Sequence, residues 1–208
     1  MRIVAESFAW PFRAKLATWA WGCLCVLLLP LLFIPLLGYA IAATRSAELN
    51  PERPPPPWRL SFPLIWAGTW TSVVVIVTLL PFAVALNPLA TALGDNIYSH
   101  VIAFFVLLFL WGVLALLLLP HATASFAATG VYTDLLGVPA ALRGVRRDLT
   151  TWNLVVAAMV TAWAIGIACA GLLCVGIVPG VFYAILVSAH AAAALHHPIA
   201  SSPGTTAR

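Results

Sequence analysis

Few side chains in this sequence have the types and spacing for chemistry. The acidic residues are Glu6, Glu48, Glu52, Asp95, Asp134 and Asp148, and all six fall outside the long apolar runs. A pump or proton-coupled transporter usually keeps ionisable groups at membrane depth, where their cost is tolerated only for function. Only His190 sits inside such a run, near its end. A packed or lipid-facing neutral histidine is the plainer reading, and a proton-relay or ligand role is the alternative. His100 and His121 flank one run, while His196 and His197 follow the last. Haem ligation needs histidines on helices at depth, so these four read as interfacial. Adjacent His196 and His197 would diverge on a helix, and no third metal ligand accompanies them.

Ser125, Thr161 and Ser188 have no base and orienting acid nearby in sequence, so nucleophilic catalysis has no support. No phosphate-binding glycine loop occurs. Cys23, Cys25, Cys169 and Cys174 all lie in apolar runs and read as small packing residues. Cys23 and Cys25 are two apart, so on a helix they face nearly opposite ways and cannot share an ion. None lies in a polar loop, which argues against a disulfide framework. The expectation is a chain without catalytic, metal or cofactor residues.

One charged pattern does stand out. Val131, Leu135, Val138, Leu142, Val145 and Leu149 recur every three or four residues, which is a helical stripe. Gly137 and Pro139 interrupt it, so a regular helix is predicted from about Pro139. Arg143, Arg146 and Arg147 share its polar side. Such a helix lies in the membrane interface with its arginines toward lipid headgroups. The basic residues are few and are explained by topology, so nucleic acid is not an expected partner.

The elements that carry these residues follow from composition. The 208 residues are 63% hydrophobic and 8% charged, with a mean hydropathy of +1.04. A soluble domain is nearer ~45–50% apolar and ~25% charged. This chain needs lipid as its solvent, and there the backbone must be satisfied within helices or a closed barrel. The apolar runs are continuous rather than alternating, which favours helices. The fold class is therefore all-α: a polytopic transmembrane bundle, one membrane domain over 1–208.

Residues 1–15 read as an amphipathic interfacial segment, with Ile3, Val4, Phe8 and Phe12 at helical spacing and Trp10 at headgroup level. Residues 16–43 form an apolar run broken by Pro30 and Pro35. It is too long for the apolar core of a signal peptide and longer than the ~20 residues of one span, yet too short for two. Residues 44–62 are a polar loop, with Pro54 to Pro57 a stiff spacer or, alternatively, a proline-motif ligand. Spans are predicted at 63–86 and 101–119, separated by a loop over 87–100, with Pro120 and His121 after the second. The interfacial helix region covers 121–151. Spans follow at 152–172 and 177–195, joined by a tight turn marked by Gly171, Gly176, Pro179 and Gly180. A disordered tail occupies 196–208. Gly166, Ala170 and nearby small residues would let helices approach closely.

Lys and Arg concentrate in cytoplasmic loops, which bears on residues 16–43. If that run is a fifth span, Arg2, Arg13 and Lys15 face the other seven basic residues across the bilayer. If it is a re-entrant hairpin, all ten lie on one side. The rule favours the hairpin, and with it a cell-membrane protein whose two termini are cytoplasmic. A short internal echo agrees: Cys25-Val26, a proline, then Tyr39-Ala40-Ile41 parallels Cys174-Val175, Pro179, then Tyr183-Ala184-Ile185.

The order of features over roughly 8–195 resembles the prokaryotic membrane family catalogued as domain of unknown function 4013. The resemblance is carried by Trp10-Pro11-Phe12-Arg13, Gly38-Tyr39 with Arg45, Pro57-Trp58 with Gly68, and Ala127-Ala128-Thr129-Gly130 before a basic helix and a terminal hairpin. Family members tend to be acidic where this chain has Arg59 and Ala67, which puts any acidic-loop role in doubt here. The resemblance implies an all-helical membrane protein and no particular activity.

Three function classes remain. The first is a non-enzymatic scaffold or accessory subunit, with membrane lipids and a membrane-protein partner or a second copy as its contacts. The second is a transporter or channel for a small or apolar solute, using proline-broken helices. The third is a lipid-acting enzyme drawing headgroups to Arg143, Arg146 and Arg147.

Overall fold

The computed structural model describes residues 2–94, 96–171 and 176–195. Asp95, Cys174, His196, His197, Arg208 and the expected tail lie outside the described residues, as do 172–175 of the expected 171–180 turn, whose Pro179 and Gly180 belong instead to the first turn of the last helix. The described residues form helices without strands: α1 Arg2–Ala9, α2 Leu16–Leu27, α3 Leu29–Leu49, α4 Phe62–Ala92, α5 Ile97–Thr129, α6 Val138–Arg147, α7 Leu149–Ala168 and α8 Ile177–Ala193. Short 3-10 turns occupy Trp10–Arg13, Tyr132–Leu136 and Cys169–Gly171. Four helices are long and apolar enough to cross a membrane: α3, α4, α5 and α7. This set differs from the expected one. The second half of the first apolar run qualifies, whereas α8, at 17 residues, falls short.

The first apolar run splits because of its prolines. Pro30 has no N–H to continue α2 and its ring clashes with the turn before it. The chain leaves helical geometry at Leu28 (φ −98°, ψ 33°) and again at Leu32 (φ −110°, ψ 19°), three residues ahead of Pro35. The two arms then fold back on each other. Trp19 on α2 and Tyr39 on α3, each ten residues from Leu29, pack on the same Phe182 ring at 5.4 and 6.0 Å. Beyond the arms, Arg13 donates to the Glu52 carbonyl at 3.1 Å and the Trp10 indole donates to the Arg53 carbonyl at 2.7 Å. The run is a helical hairpin whose ends meet. Its first arm, 12 residues, is about 18 Å long at 1.5 Å per residue, short of the ~30 Å of a hydrocarbon core.

α4 and α5 outrun the expected spans, and the expected 87–100 loop shrinks to residues 93–96. Pro81, Pro88 and Pro120 sit inside helices rather than ending them. Residues 121–129 therefore belong to α5, not to an interfacial region. In apolar surroundings no water competes for the backbone groups, so the helix continues through each proline, and near Pro81 and Pro120 polar side chains bond to helix carbonyls. The Thr78 hydroxyl donates to the Val75 carbonyl, the Trp111 indole donates to the Thr78 carbonyl, and the Thr123 hydroxyl donates to the Leu119 carbonyl. The turn between α4 and α5 uses Gly94 at φ 120°, and the Asn96 side chain then caps α5 by accepting from the Ser99 N–H at 2.9 Å. Gly130, at φ 71°, ends α5 in the left-handed conformation that glycine adopts without a Cβ penalty.

Two crossings depend on glycine. A Cβ at Gly38 would lie 2.0 Å from the Leu64 carbonyl oxygen, and one at Gly68 would lie 2.0 Å from that of Ile34. α3 and α4 thus touch backbone to backbone. Gly166 and Gly180 do the same for α7 and α8: a Cβ on either would lie 2.7 Å from the other's carbonyl oxygen, which is the close approach expected at Gly166.

The N-terminal segment departs from expectation in one respect. α1 is amphipathic, but its apolar face meets protein: Val4 and Phe8 pack on Val155, Ala158, Met159 and Ala191. Trp10 does not face headgroups; it is 0% exposed, in a cluster with Leu36, Tyr39, Phe182 and Leu186. Its indole N–H, which needs a polar partner wherever it is buried, finds the Arg53 carbonyl.

Candidate functional site

Three places gather polar or cationic groups. The first is α6, as the sequence indicated. It starts at Val138 with Pro139 in its first turn. Ala141 and Val145 are buried beneath it, and Gly144 lets it sit against the His121 ring of α5, where a Cβ would come within 2.7 Å. Arg143, Arg146 and Arg147 all stay exposed. Arg143 Nε donates to the Pro139 carbonyl at 3.3 Å, and Arg146 and Arg147 occupy the last turn, where the helix dipole favours cations. Of the predicted stripe only Leu135 and Val145 are buried; Val131, Val138, Leu142 and Leu149 are exposed. An outward face of aliphatic and arginine side chains suits a lipid interface. Against α6 lie a cavity of about 60 Å³ beside His121, Ser125 and Asp134, too small for an organic ligand, and an apolar one of about 250 Å³ between the helix's first turn and α4–α5, with Trp111, Leu118, Val138 and Ala141 in its lining.

Asp148 joins α6 to α7 as an N-cap. Its carboxylate accepts from the Thr151 N–H at 3.0 Å. The Thr151 side chain and backbone N–H beside it hold this exposed carboxyl below the usual carboxylate range.

The second place is a buried junction around His190, which sequence spacing alone does not reveal. His190 is 5% exposed. Its Nδ1 lies 2.9 Å from the Ser7 hydroxyl, its Nε2 lies 3.4 Å from the Pro51 carbonyl, and its ring packs on Trp10 at 5.1 Å between centroids. Ser7 Oγ is also 2.9 Å from the Ile3 carbonyl. A hydroxyl has one proton, so two arrangements are self-consistent. Either Ser7 donates to Ile3 and accepts from Nδ1–H, or it donates to Nδ1 while Nε2–H points at Pro51. Both tie α8 to α1 through His190; only the second also ties them to the polar loop, because in the first Nε2 carries no proton for the Pro51 carbonyl. Tyr183 adds a parallel tie by donating to the Phe8 carbonyl at 3.0 Å. Ser7 and His190 resemble a nucleophile and base by type, but Ser7 is 0% exposed. The partners are 183 and 139 residues apart, so no local motif could have signalled them.

The third place is a cavity of about 380 Å³ beside the proline-rich stretch, with Arg45 and Arg59 in its lining. Neither arginine was singled out as a site residue by the sequence. A second cavity, of about 270 Å³ and almost wholly apolar, lies between α3, α4, α5, α7 and α8, with Thr44, Met159, Trp163 and Ser188 among its walls. Among the described residues, no group of three or more His, Cys, Asp or Glu side chains could hold a metal ion.

These geometries define a multi-helix protein with four helices long and apolar enough to cross a membrane. No protein-family model, curated protein or solved structure matches the chain.

Proposed function

We propose that the protein is a non-enzymatic scaffold or accessory subunit of a membrane complex, resident in the cell membrane with both termini cytoplasmic. The observation that carries this reading is the uncovered α4–α5 pair. Of the most apolar 18-residue stretches of α4 and α5, only 11% and 6% are buried, against 33% for α3 and α7. Phe109 is 71% exposed and Ile76 57%. Large aromatic and branched side chains along two bare helices can pack against the helices of another membrane protein as readily as against acyl chains. The polar side chains of the body favour the same reading, because His190, Ser7, Trp10 and Tyr183 all serve internal ties. The orientation rests on the ten Lys and Arg residues and on the hairpin that returns α3 to the level of Arg13. Kinship with the domain of unknown function 4013 family belongs to the same proposal. Its landmarks Gly38 and Gly68 fall at the α3–α4 crossing.

A photo-crosslinking residue at Phe109 or Ile76, activated in intact membranes, tests the reading. A discrete protein adduct is expected at one or both positions. Adducts with lipid alone at both would defeat it. A second reading, passage of a small apolar solute, is favoured only by the 270 Å³ cavity. Solute flux through liposomes above that of empty vesicles would select it.

A further inference from the structure

We propose that the cavity between α3, the end of α5 and the proline-rich stretch seats the phosphate of an anionic amphiphile, gripped by Arg45 and Arg59. The proposal is independent of the scaffold reading and holds whether or not α4–α5 meets a partner.

The cations come from two separately anchored elements. Arg45 projects from α3. Arg59 follows Pro54–Pro57, a stretch pinned to the same helix: the Tyr39 hydroxyl donates to the Pro56 carbonyl at 3.0 Å, and Trp58 stacks on the Tyr39 ring at 4.4 Å. Tyr39 is itself 1% exposed. The segment that carries Arg59 is therefore clamped to the helix that carries Arg45 rather than left as a free loop. Both arginines line the same cavity, and neither is engaged in an ion pair or hydrogen bond among the described residues. Guanidinium groups suit phosphate in particular, because their planar forks give paired, charge-assisted hydrogen bonds.

The rest of the lining completes the match. Ser61, the residue before α4, makes no side-chain cap, so the positive end of a 31-residue helix opens into the same space. The far wall is apolar, with Gly38, Leu64 and Phe126. At about 380 Å³, the cavity reaches the ~300–1,000 Å³ range of small-molecule sites. It lies where apolar helices meet the polar loop, the depth at which a phospholipid carries its phosphate above its acyl chains. Inorganic phosphate would meet the same arginines but leave the apolar wall unused. An anionic membrane phospholipid uses both, and is the occupant proposed. The arginines of α6 differ, since they stand on an open face and line neither of the cavities against that helix.

Native mass spectrometry of the full chain, released from phosphatidylcholine nanodiscs containing phosphatidylglycerol, tests this. The wild type is expected to retain phosphatidylglycerol. R45Q/R59Q should lower retention roughly 30-fold, from the usual gain per basic residue near an anionic surface. Undiminished retention in R45Q/R59Q overturns the proposal. Should that double variant fail to fold, R59Q alone sits outside every helix and should lower retention about fivefold; no change there also overturns it. In the second arm, inorganic phosphate is added to phosphatidylcholine nanodiscs. Thermal stabilisation equal to that given by phosphatidylglycerol would assign the site to free phosphate and refute the amphiphile. Stabilisation by the lipid alone supports it.

Discussion

Gly68 and Gly112 sit on the two longest helices and meet opposite surroundings. A Cβ at Gly68 would strike the Ile34 carbonyl oxygen at 2.0 Å, whereas one at Gly112 would find nothing within 4 Å. The same contrast divides the molecule. On one side is a body of two helical hairpins, α2–α3 and α7–α8, braced by α1 and laced with Trp10, Tyr39, Phe182 and His190. On the other is the α4–α5 pair, attached at one end and bare along most of its length. Both regions are apolar in sequence. What separates them is how much is covered: in the body small and polar residues let helices touch and tie distant segments, whereas along the arm most large apolar side chains, Ile76, Leu80, Phe105 and Phe109 among them, stay exposed.

Substitutions should expose that division. The largest effect is expected from Trp10→Ala, which empties a fully buried site and strands the Arg53 carbonyl. A loss of about 3–5 kcal/mol is expected, read as a lowered thermal midpoint in detergent. A Trp10→Ala protein as stable as wild type would mean the indole faces headgroups after all. Gly68→Val should follow at about 1–3 kcal/mol, the ordinary range for overpacking, because backbone rather than a flexible side chain blocks the new methyls. The paired control is Gly112→Ala, which should be neutral or stabilise by up to about 1 kcal/mol through helix propensity alone. Equal losses at both glycines would erase the distinction between body and arm.

The smallest effect concerns the junction that launches α7. The Asp148 carboxyl is held below its ordinary range by Thr151. A depressed carboxylate contributes stability above its unfolded pKa and loses that contribution as pH falls through the folded value. Thermal midpoints should therefore decline toward acidic pH, and Asp148→Asn should flatten part of that decline while lowering the midpoint slightly at neutral pH. An unaltered pH profile would show that this cap contributes nothing.

The sequence made the class of fold and its helical runs legible because continuous apolar composition leaves the backbone few choices. It also marked the Pro30–Pro35 break, the basic helix from Pro139 and the close approach at Gly166. Helix ends were misjudged at Leu86 and Leu119: the helices run on through Pro88 and Pro120, as α4 also does through Pro81, because nothing outside the helix competes for the backbone. Trp10 was misplaced because an interfacial tryptophan and a buried one look alike until the partner carbonyl, 43 residues away, is known. The His190 junction and the Arg45–Arg59 cavity were illegible for the same reason: their members are brought together by tertiary packing, not by spacing.

The central claim is that residues 16–49 leave and return to the same side. It can be tested with one cysteine pair, Arg13→Cys and Glu52→Cys, in a background lacking Cys23, Cys25, Cys169 and Cys174. The side chain of Arg13 reaches the Glu52 backbone at 3.1 Å, so a short bifunctional crosslinker should join the two cysteines in intact membranes. A single crossing would instead hold them about 30 Å apart across the bilayer. Absence of the crosslink, together with labelling of the two cysteines by an impermeant reagent from opposite sides, would contradict the hairpin.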